Sequence, residues 1–89
     1  MTLTQAVIAR TNDLLKERKM TKRQLTKAAN LSEGTLASIY KQLAKSVTLN
    51  TLHALCVGFG ITMVEFLDCE YFAEENLDFN KESKKQENV

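Results

Sequence analysis

Residues 21–39 read Thr21-Lys22-Arg23-Gln24-Leu25-Thr26-Lys27-Ala28-Ala29-Asn30-Leu31-Ser32-Glu33-Gly34-Thr35-Leu36-Ala37-Ser38-Ile39. This stretch predicts two short helices joined by a tight turn. Thr21 is a good N-cap, and Gln24 can return a hydrogen bond to the cap's own N–H, which completes a capping box. Asn30 ends the first helix, because Asn tolerates the left-handed backbone needed for a sharp reversal. The inner face of this helix is predicted to consist of Leu25, Ala28 and Ala29.

The second helix of this hairpin begins after the N-cap Ser32 and has a small, polar outer face. Leu31 fills the corner before it, and Leu36 and Ile39 face inward at i and i+3. The outer surface is left to Glu33, Gly34, Thr35, Ala37, Ser38, Tyr40 and Lys41. Such a hairpin can lay a helix in the major groove of DNA, but a hairpin without that role explains the same capping and spacing.

The rest of the chain predicts three further helices. The first runs from about Thr4 to Lys19, with Thr11 at a position where an aliphatic residue is expected. Thr48 caps a fourth helix that ends at Gly60, and its apolar residues are Leu49, Leu52, Leu55, Cys56 and Phe59. Thr62 and Glu65 form a second capping box, which opens a short fifth helix with Met63, Phe66 and Leu67 on its apolar side.

The fold class is therefore all-α, with five helices around one small core. A chain of 89 residues fits a single domain of this kind. Beyond Asn76 scarcely any apolar residue remains, so we expect a flexible tail. The predicted division is a domain at residues 1–72 and a flexible charged tail at residues 73–89.

The charge of the chain is polarised. Residues 1–60 carry nine basic and three acidic residues, a formal +6, whereas residues 61–89 carry three basic and eight acidic residues, a formal −5. A basic half that contains the hairpin suits a polyanion, and ordinary solvated helix charge is the alternative.

Composition excludes several classes of protein. No apolar run reaches 18 residues and the N-terminus lacks a secretion signal, so we expect a cytoplasmic protein without membrane contact. Cys56, Cys69 and His53 lack the spacing of a metal site, and no cofactor or small-molecule substrate is indicated. An enzyme is not expected, because one His and scattered hydroxyl residues supply no catalytic set.

The order of elements resembles the phage-repressor-like, Cro/Xre-type helix-turn-helix family. The resemblance rests on the hairpin with its Asn-Leu-Ser turn, on Thr-Leu-x-Thr-Leu at residues 48–52, and on Leu-Cys-x-x-Phe-Gly-Ile-Thr-x-x-Glu-Phe-Leu at residues 55–67. It spans about residues 4–72 and is similar to the short single-domain regulators of Gram-positive bacteria and their mobile elements. It implies a five-helix lambda-repressor-like fold that binds double-stranded operator DNA, commonly as a dimer, and represses or activates transcription.

The same resemblance implies which residues contact DNA. Lys22 stands where the family places a polar residue against phosphate, and base contacts concentrate at the start of the helix after Ser32. Charge adds Arg23 and Lys45 as phosphate contacts. The complete predicted set is Lys22, Arg23, Ser32, Glu33, Gly34, Thr35, Ala37, Ser38, Lys41 and Lys45.

The sequence departs from the family at several positions. Thr26 replaces Ala and Asn30 replaces Gly, and the following loop has Gln42 and Val47 where the family has Gly and Pro. A carboxylate at Glu33 can accept a hydrogen bond from cytosine N4 but is also repelled by phosphate. A helical glycine costs about 0.5 to 1 kcal/mol relative to Ala, and Gly34 either permits close approach to DNA or marks a loose helix.

Two functions follow from these observations. The favoured one is a sequence-specific DNA-binding regulator, acting as a homodimer because one such domain makes a small DNA interface. The alternative is a protein-interaction module that keeps the fold but binds DNA weakly or not at all, with the acidic end of the chain as its working surface. The predicted dimer contact consists of Phe66, Leu67, Tyr71 and Phe72, and the alternative is that these residues only cap the core.

Overall fold

The computed structural model describes residues 1–41 and 46–78, and the regular secondary structure of this part of the chain is all helical. The five α-helices are α1 (Leu3–Arg18), α2 (Lys22–Ala29), α3 (Glu33–Tyr40), α4 (Leu49–Phe59) and α5 (Met63–Leu67). Two single-turn 3-10 helices follow, Glu70–Phe72 and Glu74–Asn76. The all-α, five-helix prediction is confirmed, and the predicted helix order is correct.

The predicted caps set the boundaries of the helices. Thr21 and Thr62 each open a capping box with the residue three positions later, Gln24 or Glu65. The backbone N–H of that residue donates to the Thr hydroxyl, and the Thr backbone N–H donates to its side-chain Oε1. Asn30 and Gly60 end α2 and α4 in the left-handed region, with φ of 57° and 71°. These local signals were correctly read from the sequence because each depends on residues only a few positions apart.

All five α-helices contribute to the core, and α2 packs most closely against α4. Gly58 is the reason for that close approach. A Cβ added to it would lie 2.9 Å from Leu25 Cδ1, 3.0 Å from Ala29 Cβ and 3.2 Å from the Ala29 backbone nitrogen. Any larger residue at position 58 would therefore push α2 away from α4.

Two predicted inner-face residues lie on the surface instead. Ala28 is exposed on α2, and Leu49 is 73% exposed at the start of α4. The inward position on α2 is taken by Thr26, whose hydroxyl donates to the Arg23 carbonyl at 2.8 Å. Thr11 is likewise buried, and its hydroxyl donates to the Val7 carbonyl at 2.7 Å. Both threonines enter the core because a carbonyl of their own helix accepts the hydroxyl proton.

Two arginines of α1 hold the C-terminal ends of other helices. The guanidinium of Arg10 donates to the carbonyls of Phe66 and Glu65, both at 2.8 Å, and that of Arg18 donates to the Phe59 carbonyl at 2.6 Å. These carbonyls lie in the last turns of their helices, where regular helical hydrogen bonds run out, and cations there also oppose the helix dipole. Two charges of the basic half therefore stabilise the fold.

Described residues within the predicted tail contact the N-terminal part of the chain, and the domain boundary at residue 72 stays a prediction. The Met1 ammonium donates to the Asn76 carbonyl at 2.8 Å and lies 3.6 Å from the Asp78 carboxylate, and the Asp78 N–H donates to the Met1 carbonyl at 2.8 Å. Tyr71 donates to Asp13 Oδ2 at 2.6 Å. The segment 70–78 is thus attached to α1, while residues 79–89 of the predicted tail lie outside the described residues. Within the described residues, no helix has the length and apolar character needed to cross a membrane.

Candidate nucleic-acid interface

Helix α3 stands as a ridge on the surface of the domain. Leu36 and Ile39 are buried beneath it, as predicted, and Ser32 caps it by accepting a hydrogen bond from the Thr35 N–H at 3.0 Å. The opposite side of the helix is exposed at Gly34, Ala37 and Lys41. Two open grooves of about 470 Å³ each run along the flanks of this ridge.

One flank, which we call the cationic groove, lies between α2 and α3 and carries three basic side chains. Its lining residues are Lys22, Arg23, Thr26, Glu33, Leu36, Ala37, Tyr40 and Lys41. Among residues 1–41 and 46–78, the only ion pair within 4.0 Å joins the Met1 ammonium to Asp78. The three cations of the groove therefore have no carboxylate partner within this part of the chain, which leaves their charge available to a polyanion.

Tyr40 contacts a lysine of the cationic groove and also links α3 to α1. The Lys22 ammonium lies 3.7 Å from the centroid of the Tyr40 ring, a cation–π contact. The Tyr40 hydroxyl donates to Asn12 Oδ1 at 2.7 Å and so ties the C-terminal end of α3 to α1. Burial raises the pKa of Tyr40 to about 12, so this phenol stays protonated to a more alkaline pH than an ordinary tyrosine. Tyr40 was predicted to lie on the outer surface, whereas the structure places it partly buried against the core.

The other flank, which we call the hydroxyl groove, lies between the N-terminal ends of α3 and α4. Six of its lining residues carry hydroxyls, and the full set is Ser32, Gly34, Thr35, Ser38, Ile39, Ser46, Val47, Thr48 and Thr51. The hydroxyls of Ser32 and Thr35 are 2.7 Å apart, and Thr48 accepts from the Thr51 N–H at 3.2 Å as the predicted cap of α4. This groove offers neutral donors and acceptors where the cationic groove offers charge.

Gly34 lies on the exposed side of α3, and close packing does not explain the glycine there. A Cβ added there would meet only the Ser32 hydroxyl, at 3.9 Å, which is an ordinary contact. The fold therefore does not require glycine at this position, in contrast to Gly58. Its effect is to leave the backbone of the first turn of α3 accessible from outside.

The structure brings nine of the ten predicted DNA-binding residues to the two grooves. Lys22, Arg23, Glu33, Ala37 and Lys41 line the cationic groove, and Ser32, Gly34, Thr35 and Ser38 line the hydroxyl groove. Lys45 lies outside the described residues. The structure shows that these nine residues line the grooves beside α3, whereas their contact with DNA stays a prediction.

Comparison with known proteins identifies the family. The family model of the Cro/C1-type HTH DNA-binding domain matches residues 12–71, more than half of the 89-residue chain. The chain belongs to the Cro/C1-type helix-turn-helix family. This Cro/C1-type domain is a DNA-binding module of transcription regulation, and DNA is its partner. No curated protein and no solved structure matches the chain.

The four predicted dimer contacts of this Cro/C1-type domain occupy different environments. Phe66 is fully buried, with its ring 5.9 Å from that of Phe72, so it is a core residue and offers no surface to a partner. Phe72 packs on the same core, and Tyr71 is engaged with Asp13. Leu67 is 39% exposed on α5, beside Val64, which is 77% exposed and was not predicted.

Sequence reasoning missed Asn12, Tyr40 and Gly58 as determinants of the Cro/C1-type interface. Asn12 and Tyr40 are 28 residues apart, and no periodicity connects them. A glycine inside the apolar run of α4 was a usable signal for close helix packing, because such a residue otherwise weakens a helix.

Proposed function

We propose that this protein is a sequence-specific transcription regulator that reads the major groove of DNA with α3. The observation that supports this most directly is the ridge between two grooves. An α-helix with its side chains is about 10 to 12 Å across, and the major groove of B-DNA is about 12 Å wide. A helix inserted there has a sugar-phosphate strand on each side, and the two grooves beside α3 offer a place for each strand.

The cationic groove supplies phosphate contacts in this proposal. Lys22, Arg23 and Lys41 line it without a carboxylate partner in the described part of the chain. If each neutralises one phosphate, the logarithm of affinity falls against the logarithm of salt with a slope of about −3 per protomer. Such contacts fix the register of the protein on the duplex but carry no sequence information.

Selection of bound duplexes from a random pool, followed by titration at several salt concentrations, tests this function. We expect an enriched motif and a steep salt dependence, which Lys22→Gln and Lys41→Gln each reduce by about one in slope. Lys16→Gln, an exposed lysine of α1 outside both grooves, is the matched control. Failure to enrich any motif, with no binding at low salt, would instead favour the protein-interaction module.

We further propose that the regulator acts as a homodimer through the outer face of α5. A single domain makes a small interface with DNA, and paired half-sites one helical turn apart are the usual remedy. Val64 and Leu67 are exposed one turn apart on α5 and supply an apolar contact. Light scattering should give twice the mass of one chain, and the double variant Val64→Asp, Leu67→Asp should give one. A wild-type protein that remains monomeric both free and bound to DNA refutes this part.

A further inference from the structure

Glu33 is the first residue of α3 and lies exposed in the cationic groove. Ala37 and Lys41 follow it at intervals of four residues, are exposed as well and line the same groove. Side chains four residues apart stack along one face of a helix. The three residues therefore form one line along the flank of the ridge, with a carboxylate at its N-terminal end.

The helix dipole favours a negative charge in the first turn of α3, but no side-chain contact among the described residues fixes this carboxylate. In the part of the chain that the structure describes, Glu33 forms no ion pair within 4.0 Å and its side chain accepts no hydrogen bond, although Lys22, Arg23 and Lys41 line the same groove. The cap of α3 is Ser32, which bonds the Thr35 N–H, so Glu33 does not complete a capping box. Its two oxygens remain free to accept hydrogen bonds from a ligand.

We propose that Glu33 determines specificity by accepting a hydrogen bond from cytosine in the major groove, an inference that rests on the proposed function. An ionised carboxylate has acceptors only. Guanine presents two acceptors in the major groove, thymine an acceptor and a methyl group, and adenine a donor beside the acceptor N7. Cytosine alone presents a donor, N4, with no acceptor on the same base, so it is the base whose own major-groove edge best matches a carboxylate.

Ala37 extends the prediction to a second base. Its methyl group lies one turn further along the same line, about 6 Å along the axis of α3. Successive base pairs rise by about 3.4 Å, so this spacing corresponds to about two steps when the helix follows the groove. A methyl group in the major groove contacts the thymine methyl. The half-site is therefore expected to contain a cytosine and, within two base pairs, a thymine.

The test is a change of base preference in a single-residue variant. Gln differs from Glu by an added donor and pairs with adenine through N6 and N7. Selection from a random duplex pool with the full chain should give cytosine at one position for the wild type and adenine there for Glu33→Gln. The ratio of affinities for the cytosine and adenine duplexes should fall by about 10- to 100-fold. A ratio is used because removal of a negative charge also raises affinity for all DNA.

Two further variants define the outcome. Glu17→Gln removes the same charge from an exposed position of α1 outside both grooves and should leave the selected motif unchanged. Glu33→Ala, which retains neither donor nor acceptor, should bind duplexes with any base at that position within a few-fold of one another. If the wild type selects a motif that Glu33→Gln also selects with the same ratio, the role of Glu33 is refuted while the regulator stands. If the wild type selects no motif, the proposed function itself fails.

Discussion

The substitution of Gly by Ala should stabilise the protein at position 34 and destabilise it at position 58. At Gly34 the new Cβ meets only the Ser32 hydroxyl at 3.9 Å, so Gly34→Ala gains the helical preference of Ala, about 0.5 to 1 kcal/mol. For a domain of this size each kcal/mol shifts Tm by about 4 to 8 °C. The expected change at position 34 is an increase of about 2 to 8 °C.

At Gly58 the same methyl group lies 3.0 Å from Ala29 Cβ and 3.2 Å from the Ala29 backbone nitrogen, neither of which can rotate away. Overpacking of this kind costs about 1 to 3 kcal/mol, and the helical preference of Ala offsets part of it. We expect a net loss of about 1 to 2 kcal/mol, and a Tm lower by several degrees.

Thermal unfolding followed by circular dichroism measures both shifts, and each variant is the chemical control for the other. A lower Tm for Gly34→Ala, or an unchanged Tm for Gly58→Ala, would refute the packing argument at that position. DNA affinity provides a second measurement on the stabilised variant. If the bare backbone of α3 approaches DNA closely, Gly34→Ala binds more weakly despite its higher Tm, and equal affinity would show that the glycine serves no such approach.

Three further predictions concern the contacts that position the interface. Because the Arg10 guanidinium binds two carbonyls of α5, Arg10→Leu should lower the free energy of unfolding in urea by about 1 to 3 kcal/mol and leave the salt slope of DNA binding unchanged. Arg23→Gln should instead reduce the salt slope and leave the free energy of unfolding unchanged. Hydrogen bonds from the Thr62 backbone and hydroxyl hold the pKa of Glu65 below its usual value, so the stability that they add is lost as pH falls through that pKa. Glu65→Gln should make the stability of the protein less dependent on acid pH, and an acid unfolding transition equal to that of the wild type would contradict this prediction. Burial raises the pKa of Tyr40 to about 12, and in Tyr71→Phe this is the one phenol left in the chain. Its ionisation, followed by absorbance, should occur near pH 12, and the stability of the protein should fall between pH 10 and 12. Ionisation near pH 10 would show that the Tyr40 ring is exposed to solvent.

The sequence predicted the local features of this fold well and its long-range contacts poorly. The caps at Thr21, Ser32 and Thr62 were correct because side chain and backbone partner are three residues apart. Phe66 was predicted both on the apolar side of α5 and in the dimer contact, because an apolar residue at a helix end is compatible with core and interface alike. Its burial depends on α1 and on the segment after α5, which no periodicity reveals.

The candidate site shows the same division. Periodicity placed Leu36 and Ile39 on the inner face of α3, and the residues left for its outer side were correct by elimination except for Tyr40, which is partly buried against the core. The partition of those residues into a charged and a neutral flank depends on the positions of α2 and α4 beside them, which follow from tertiary packing. The contact between Lys22 and Tyr40 could not be read from the sequence for the same reason.

The unlike flanks of α3 have a consequence for how this protein meets a duplex. With lysine and arginine on one side and serine and threonine on the other, the two antiparallel strands are held by different forces on the proposed docking. Added salt weakens the electrostatic contacts of the cationic groove and has little effect on the neutral hydrogen bonds of the hydroxyl groove. Because a two-fold axis relates the two strands of a duplex, either orientation of a protomer places one strand beside each flank, and the bases that α3 reads set the direction.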